Sequence, residues 1–120
     1  MSSSSIIVTF SFFGIHRWKN APPQVAFLRN EHRHEFGVVV DIPVNHEDRD
    51  LEFFIVKNTL SEFPSTFPPY HKDLKSVRQL GCRSCEMLAE DVMAYLERGG
   101  IHASKVTVSE DGENSGRILR

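Results

Sequence analysis

The chain has 120 residues, 40% hydrophobic and 25% charged, with a formal net charge of −2. That size and balance suit one domain with a modest core, and the weak negative charge gives no electrostatic basis for binding nucleic acid or an anionic membrane. The apolar runs Ile6-Ile7-Val8 and Val38-Val39-Val40 are strand-sized and far short of a membrane span.

The start, "MSSSS", lacks the basic and apolar regions of a signal peptide. Residues 1–5 are expected to be a disordered start to a single domain over 1–120, with a cytoplasmic location as the default. Residues 6–13, "IIVTFSFF", are β-branched and aromatic and predict a strand. Ile6, Val8, Phe10 and Phe12 then share one face, which reaches His16 if the strand continues through Gly14. Residues 17–30 carry Pro22-Pro23 and read as a long loop, of a length that is more often functional than idle.

Residues 32–42 predict a second strand, apolar on both faces after Phe36 and therefore inside a sheet. A polar turn, "PVNHEDRD", follows. Residues 51–63 read as a short strand entering a helix that Pro64 ends, and "PSTFPPYHKD" reads as a loop. Ser84 predicts an N-cap for a helix over 85–98, with Glu86 in its first turn and Cys85, Leu88, Ala89, Val92 and Leu96 as its apolar stripe. "ASKVTVSE" alternates cleanly, and a short strand is expected near 116–119. The order β-β-α-α-β-β predicts an α+β domain, an antiparallel sheet with two helices on one face.

The candidate chemistry begins with "NEHRHEF". In a strand, residues two apart project to one face, so His32 and His34 stand side by side. Two paired antiparallel strands bring the end of the first to the start of the second, so His16 can join them. Three histidines are what a catalytic zinc centre takes while leaving one position open. Glu110 is in phase with Val106 and Val108, so its carboxylate either points inward and anchors a ligand, or the strand frays and it is solvated. His71, in the loop "PPYHKDL", suits a proton carrier, while His46 and His102 sit where solvation is the ordinary expectation. Glu31 and Glu35 flank the histidine pair on the opposite side of the strand, though Glu31 can swing toward a pocket. Cys82 and Cys85 form the one C-x-x-C; with no thioredoxin-like pattern around it, two unrelated thiols near a core is the preferred reading over a redox pair or half a zinc site.

These separated features together resemble the 6-pyruvoyltetrahydropterin synthase and 6-carboxytetrahydropterin synthase family. Its F-x-A-x-H strand end is matched by "FGIH" at His16, its H-G-H by His32-Arg33-His34, and its L-D-H-x-x-L-N by "PYHKDLK". Its P-T-x-E-x-x-A helix start is matched by "RSCEMLA", and its V-x-V-x-E by "VTVSE", ending at Glu110. The resemblance spans roughly residues 6–118 and rests on five motifs in order. It implies the tunnelling fold, zinc on His16, His32 and His34, and Glu110 accepting from the 2-amino-4-oxo edge of a pterin, with Ser84 and Glu86 also contacting substrate. It implies His71 and Glu31 as catalytic candidates, and a homo-hexamer of two stacked trimers with sites between subunits.

There are departures. Leu28 stands where the family has its catalytic cysteine, Tyr70 replaces the aspartate before the catalytic histidine, Arg33 replaces the glycine of H-G-H, and no G-x-x-x-D-F segment is found in "LEFFIVKN". A subset of the family uses glutamate for that cysteine, and Glu31 is three residues from the position.

The expected function is a zinc-dependent lyase acting on 7,8-dihydroneopterin triphosphate or a related pterin; tetrahydropterin, folate-like and deazaguanine (queuosine) routes all draw on that intermediate. The alternative is a non-catalytic pterin- or purine-nucleotide-binding protein, with Arg33, Arg29 and Lys19 near phosphates. A structural oligomerisation module with adventitious metal ranks last.

Overall fold

A computed structural model describes residues 2–120. The elements are β1 (Ser4–His16), β2 (His32–Val44), α1 (Phe53–Ser61), β3 (Pro69–His71), β4 (Leu74–Gly81), α2 (Cys85–Arg98), β5 (Lys105–Glu110) and β6 (Asn114–Leu119), with 3-10 segments over Pro23–Arg29 and Phe63–Thr66. One six-stranded sheet runs β3-β4-β1-β2-β5-β6.

The period-two pattern decides which face is covered. In β1, Val8, Phe12 and His16 are buried while Ile7, Thr9 and Phe13, on the opposite face, are exposed. β2 lies between β1 and β5, and its Phe36, Val38, Val40 and Ile42 are almost wholly buried. Both helices pack on this face: Val56 and Leu60 of α1 and Leu88, Val92 and Leu96 of α2 join the strand residues in one core. Each large apolar side chain buried there contributes about 1.5–3 kcal/mol relative to exposure. The ends of α2 follow their chemistry. Ser84 Oγ accepts from Met87 N–H at 3.2 Å, relieving one of the unpaired first-turn donors, and Gly99 closes the other end. α1 is capped by Glu52, whose carboxylate accepts from the Phe54 and Ile55 N–H groups.

The α+β class stands, with four corrections to the sequence reading. The sheet is mixed rather than antiparallel, because β1 and β4 run parallel. β4, and the hairpin it makes with β3, fall partly in the segment read as loop. Only Val77 and Leu80 of β4 are buried, and residues three apart give no alternation to read. The short strand expected at the start of 51–63 is not formed, and α1 begins directly at Phe53. The start also orders early: Ser4 and Ser5 pair with Val44 and Pro43, while Met1 of the expected disordered start lies outside the described residues. No helix among the described residues is long and apolar enough to cross a membrane.

Candidate metal centre and adjoining pocket

The antiparallel register of β1 and β2 sets His16 opposite His32 and Gly14 opposite His34. All four positions face the core side, so the imidazoles gather where β1 ends and β2 begins. One ligand atom from each of His16, His32 and His34 can be chosen so that all lie within 4.8 Å of one another. Gly14 makes room beneath them: a Cβ there would stand 2.4 Å from Leu80 Cδ1 and 3.2 Å from Phe36 Cε2. Phe36 in turn supports the cluster, its ring edge-on to His16 and to His34.

The hydrogen bonds fix which nitrogen each ring offers. His16 Nδ1 donates to the Arg83 carbonyl at 2.7 Å, His32 Nδ1 to the Asn30 carbonyl at 2.9 Å, and His34 Nδ1 to Asp111 Oδ2 at 2.6 Å. A carbonyl or carboxylate can only accept, so each neutral ring carries its proton on Nδ1 and leaves Nε2 as a bare lone pair. Outer acceptors of this kind orient metal-binding histidines. His16 Nε2 is buried and has no hydrogen-bond partner, an orphaned polar atom whose cost a metal bond would remove. Burial holds the His16 pKa below its ordinary value, against the opposing pull of the Arg83 carbonyl and Glu110. The neutral form that ligates metal is therefore favoured. The donor set fits zinc.

Glu110 settles its open alternative inward. β5 runs through it, and its partner across β2 is Phe36, which carries it to the histidines. Its Oε1 lies 3.4 Å from His16 Nε2, without hydrogen-bond geometry, and its Oε2 lies 3.5 Å from His34 Nε2. The Cys85 thiol donates to Glu110 Oε1 at 3.7 Å. Burial first, and then the Glu110 charge, push that thiol up to about 12, so Cys85 is an inert donor at neutral pH.

A pocket of about 510 Å³ opens beside the centre. Its walls include His16, His32, Glu110, Ser84 and Glu86, so five of the eight residues singled out from sequence meet there. Ser84 Oγ is already engaged as the α2 cap. Leu28, at the position of the family's cysteine, also lines it, as do Trp18 and Cys82. Two basic side chains line it, Arg17 and Arg83, whereas Arg33, Arg29 and Lys19 do not. Arg33 instead lies over the Phe13 ring, and Arg29 Nε donates to the Ala21 carbonyl.

The two catalytic candidates stand apart from this pocket. Glu31 Oε2 accepts from Gln79 Nε2 at 2.7 Å. His71 pairs with Leu74 at the far end of β4, whose Gly81 is the partner of His16. The seven residue steps from Leu74 to Gly81 put His71 roughly 20 Å from His16 along the sheet. Its neighbour is Asp73, whose Oδ2 lies 3.6 Å from Nδ1. Sequence reasoning missed Asp111, although "DG" is a hairpin-turn signal and Asp111 sits there with φ of 54°. It also gave no role to Trp18.

The architecture is shared with known proteins. No family model matches the sequence, and no curated protein matches it. Among solved structures, an uncharacterized protein from Wolinella succinogenes superposes with a TM-score of 0.71 at 13% identity, over 100% of this chain and 99% of that one. A catalytic-residue mutant of 6-pyruvoyltetrahydropterin synthase from Plasmodium vivax follows at 0.69 and 16% identity, over 100% and 99%. The 6-pyruvoyl tetrahydropterin synthase of Caenorhabditis elegans gives 0.69 and 13%, over 100% and 97%. The chain thus has the fold of the 6-pyruvoyltetrahydropterin synthases.

Proposed function

We propose that this chain is a zinc-dependent, pterin-converting enzyme of the lyase type, acting on 7,8-dihydroneopterin triphosphate or a related pterin. One observation carries the reading: three histidines, each with its Nδ1 tied to an oxygen, bring one ring nitrogen apiece within 4.8 Å of one another, beside a carboxylate on a pocket wall. The shared fold supports the same class. His16, His32 and His34 would hold the zinc, which supplies polarisation of substrate oxygens and eases proton loss at the neighbouring carbon. Glu110 accepts from the paired N–H donors of the pterin edge. Ser84 and Glu86, at the start of α2, border the same pocket.

Proton transfer is the part a single chain leaves open. His71, roughly 20 Å along its own sheet, reaches the pocket only from a second copy. An assembly of copies, a hexamer on this reading, also covers what one chain exposes: Ile7 and Phe13 on the outer sheet face and the edge strands β3 and β6. Glu31 is the second candidate, and the Plasmodium vivax neighbour, whose mutated catalytic residue is a glutamate, supports keeping it.

A non-catalytic pterin- or purine-nucleotide-binding protein is the second reading. What favours it is Leu28 on the pocket wall, an aliphatic side chain that can neither take nor give a proton. A turnover assay separates the two: zinc-loaded protein with 7,8-dihydroneopterin triphosphate, products identified by mass spectrometry. The lyase reading expects a pterin with an altered side chain, and loss of that product in His71→Ala. Substrate returned intact but retained on the protein sinks the lyase reading and leaves the binding protein.

A further inference from the structure

Trp18 is the one tryptophan of the chain, and half of it is exposed at the pocket. A large aromatic ring left half in water is costly unless something covers it. The segment that carries it is not loose. Arg17 N–H donates to the Gly81 carbonyl at 3.0 Å, Trp18 N–H to Leu28 at 2.7 Å, and Ala21 N–H to Trp18 at 3.1 Å. Ala21 is buried, and Arg29 Nε donates to its carbonyl at 2.8 Å. A backbone bond therefore ties Trp18 to Leu28, and both residues line the pocket that Glu110 also lines. Met87, exposed on the first turn of α2, adds a polarisable thioether to the lining.

We infer that Trp18 is a stacking wall, positioning a flat heteroaromatic ring whose donor edge is turned to Glu110. The ligand class is a fused bicycle bearing the 2-amino-4-oxo pattern, pterin or guanine. Such a ring satisfies a carboxylate at its edge and an indole at its face together. This rests on the pterin-site reading of the pocket and adds a residue outside the five matched motifs. A substrate without a planar ring gains nothing from Trp18.

The experiment uses the zinc-loaded full chain with neopterin and guanosine as probes. Calorimetry reads affinity, and the emission of the single indole reads stacking. Wild type should bind at least one probe with quenched emission. Trp18→Ala should bind it roughly tenfold or more weakly, while Trp18→Phe keeps affinity within about threefold. Both variants should keep wild-type zinc content, because the ties that hold the loop are made by backbone atoms. An affinity in Trp18→Ala equal to wild type, or binding with no change in emission, overturns this inference and leaves the pterin site standing. No heat from either probe in wild type overturns both.

Discussion

Five of the six histidines divide into two groups, and the contrast lies in what each Nδ1 meets. At the end of the sheet where β1 meets β2, His16, His32 and His34 donate from Nδ1 to oxygen acceptors, and one ring nitrogen of each lies within 4.8 Å of the others. In the exposed turns the bond runs the other way. His46 Nδ1 accepts from Asp48 N–H at 3.2 Å, and His71 Nδ1 accepts from Asp73 N–H at 3.1 Å. Their neutral rings therefore carry the proton on Nε2, which in His46 lies 3.5 Å from Asp50 Oδ1. On the proposed reading the first group would hold the metal, whereas the Nδ1 of each ring in the second is taken up by a local turn. Residue type is identical, so the neighbours decide the chemistry.

Removing a member of the first group should have the largest effect. His16→Ala, His32→Ala and His34→Ala are each expected to reduce bound zinc from about one per chain to a small fraction, while His46→Ala and His71→Ala leave it unchanged. Metal analysis of untagged protein checks this, and equal losses in both groups would erase the distinction. A smaller effect should follow from touching only the acceptor. Asp111→Ala leaves all three ligands in place but frees the His34 ring, and zinc affinity should fall roughly 10–100-fold in competition with a chelator. An unchanged affinity would mean that orientation by Asp111 is irrelevant.

The cysteines sharpen the same lesson at the smallest expected effect. Cys82 is exposed and Cys85 is buried against Glu110, so an alkylating reagent at about pH 8 should modify Cys82 alone in the folded chain. Because folding raises the Cys85 pKa from 9.0 to about 12, the fold favours the protonated thiol. That stability is fully present below pH 9 and is lost as pH rises toward 12. Cys85→Ala should flatten the alkaline limb of a melting-temperature profile, at the cost of a modest uniform loss from the vacated volume.

Much of the centre was legible because strand periodicity is a local rule. Alternation alone put His32 beside His34 and carried Glu110 to the side of Val106 and Val108, and the structure keeps both. The limits of α2 also came through, since Ser84 and Gly99 act on adjacent backbone. The hairpin before α2 did not, because β4 sits near the sheet edge and buries too few residues to leave a pattern. Nor did the pairing of His34 with Asp111, residues that meet only when β5 is laid against β2.

The sequence by itself thus determined the faces: which side of each strand and of α2 is apolar, and that His32 and His34 share one of them, while it left open whether Glu110 joins them. Tertiary structure alone decided the partners. It ran β4 parallel to β1, gave each Nδ1 its oxygen, set Trp18 against Leu28 and left His71 at the far end of the sheet. The physical reason is range. Side-chain direction follows from dihedral angles one residue at a time, whereas a hydrogen-bond acceptor or a parallel neighbour is supplied by chain dozens of residues away.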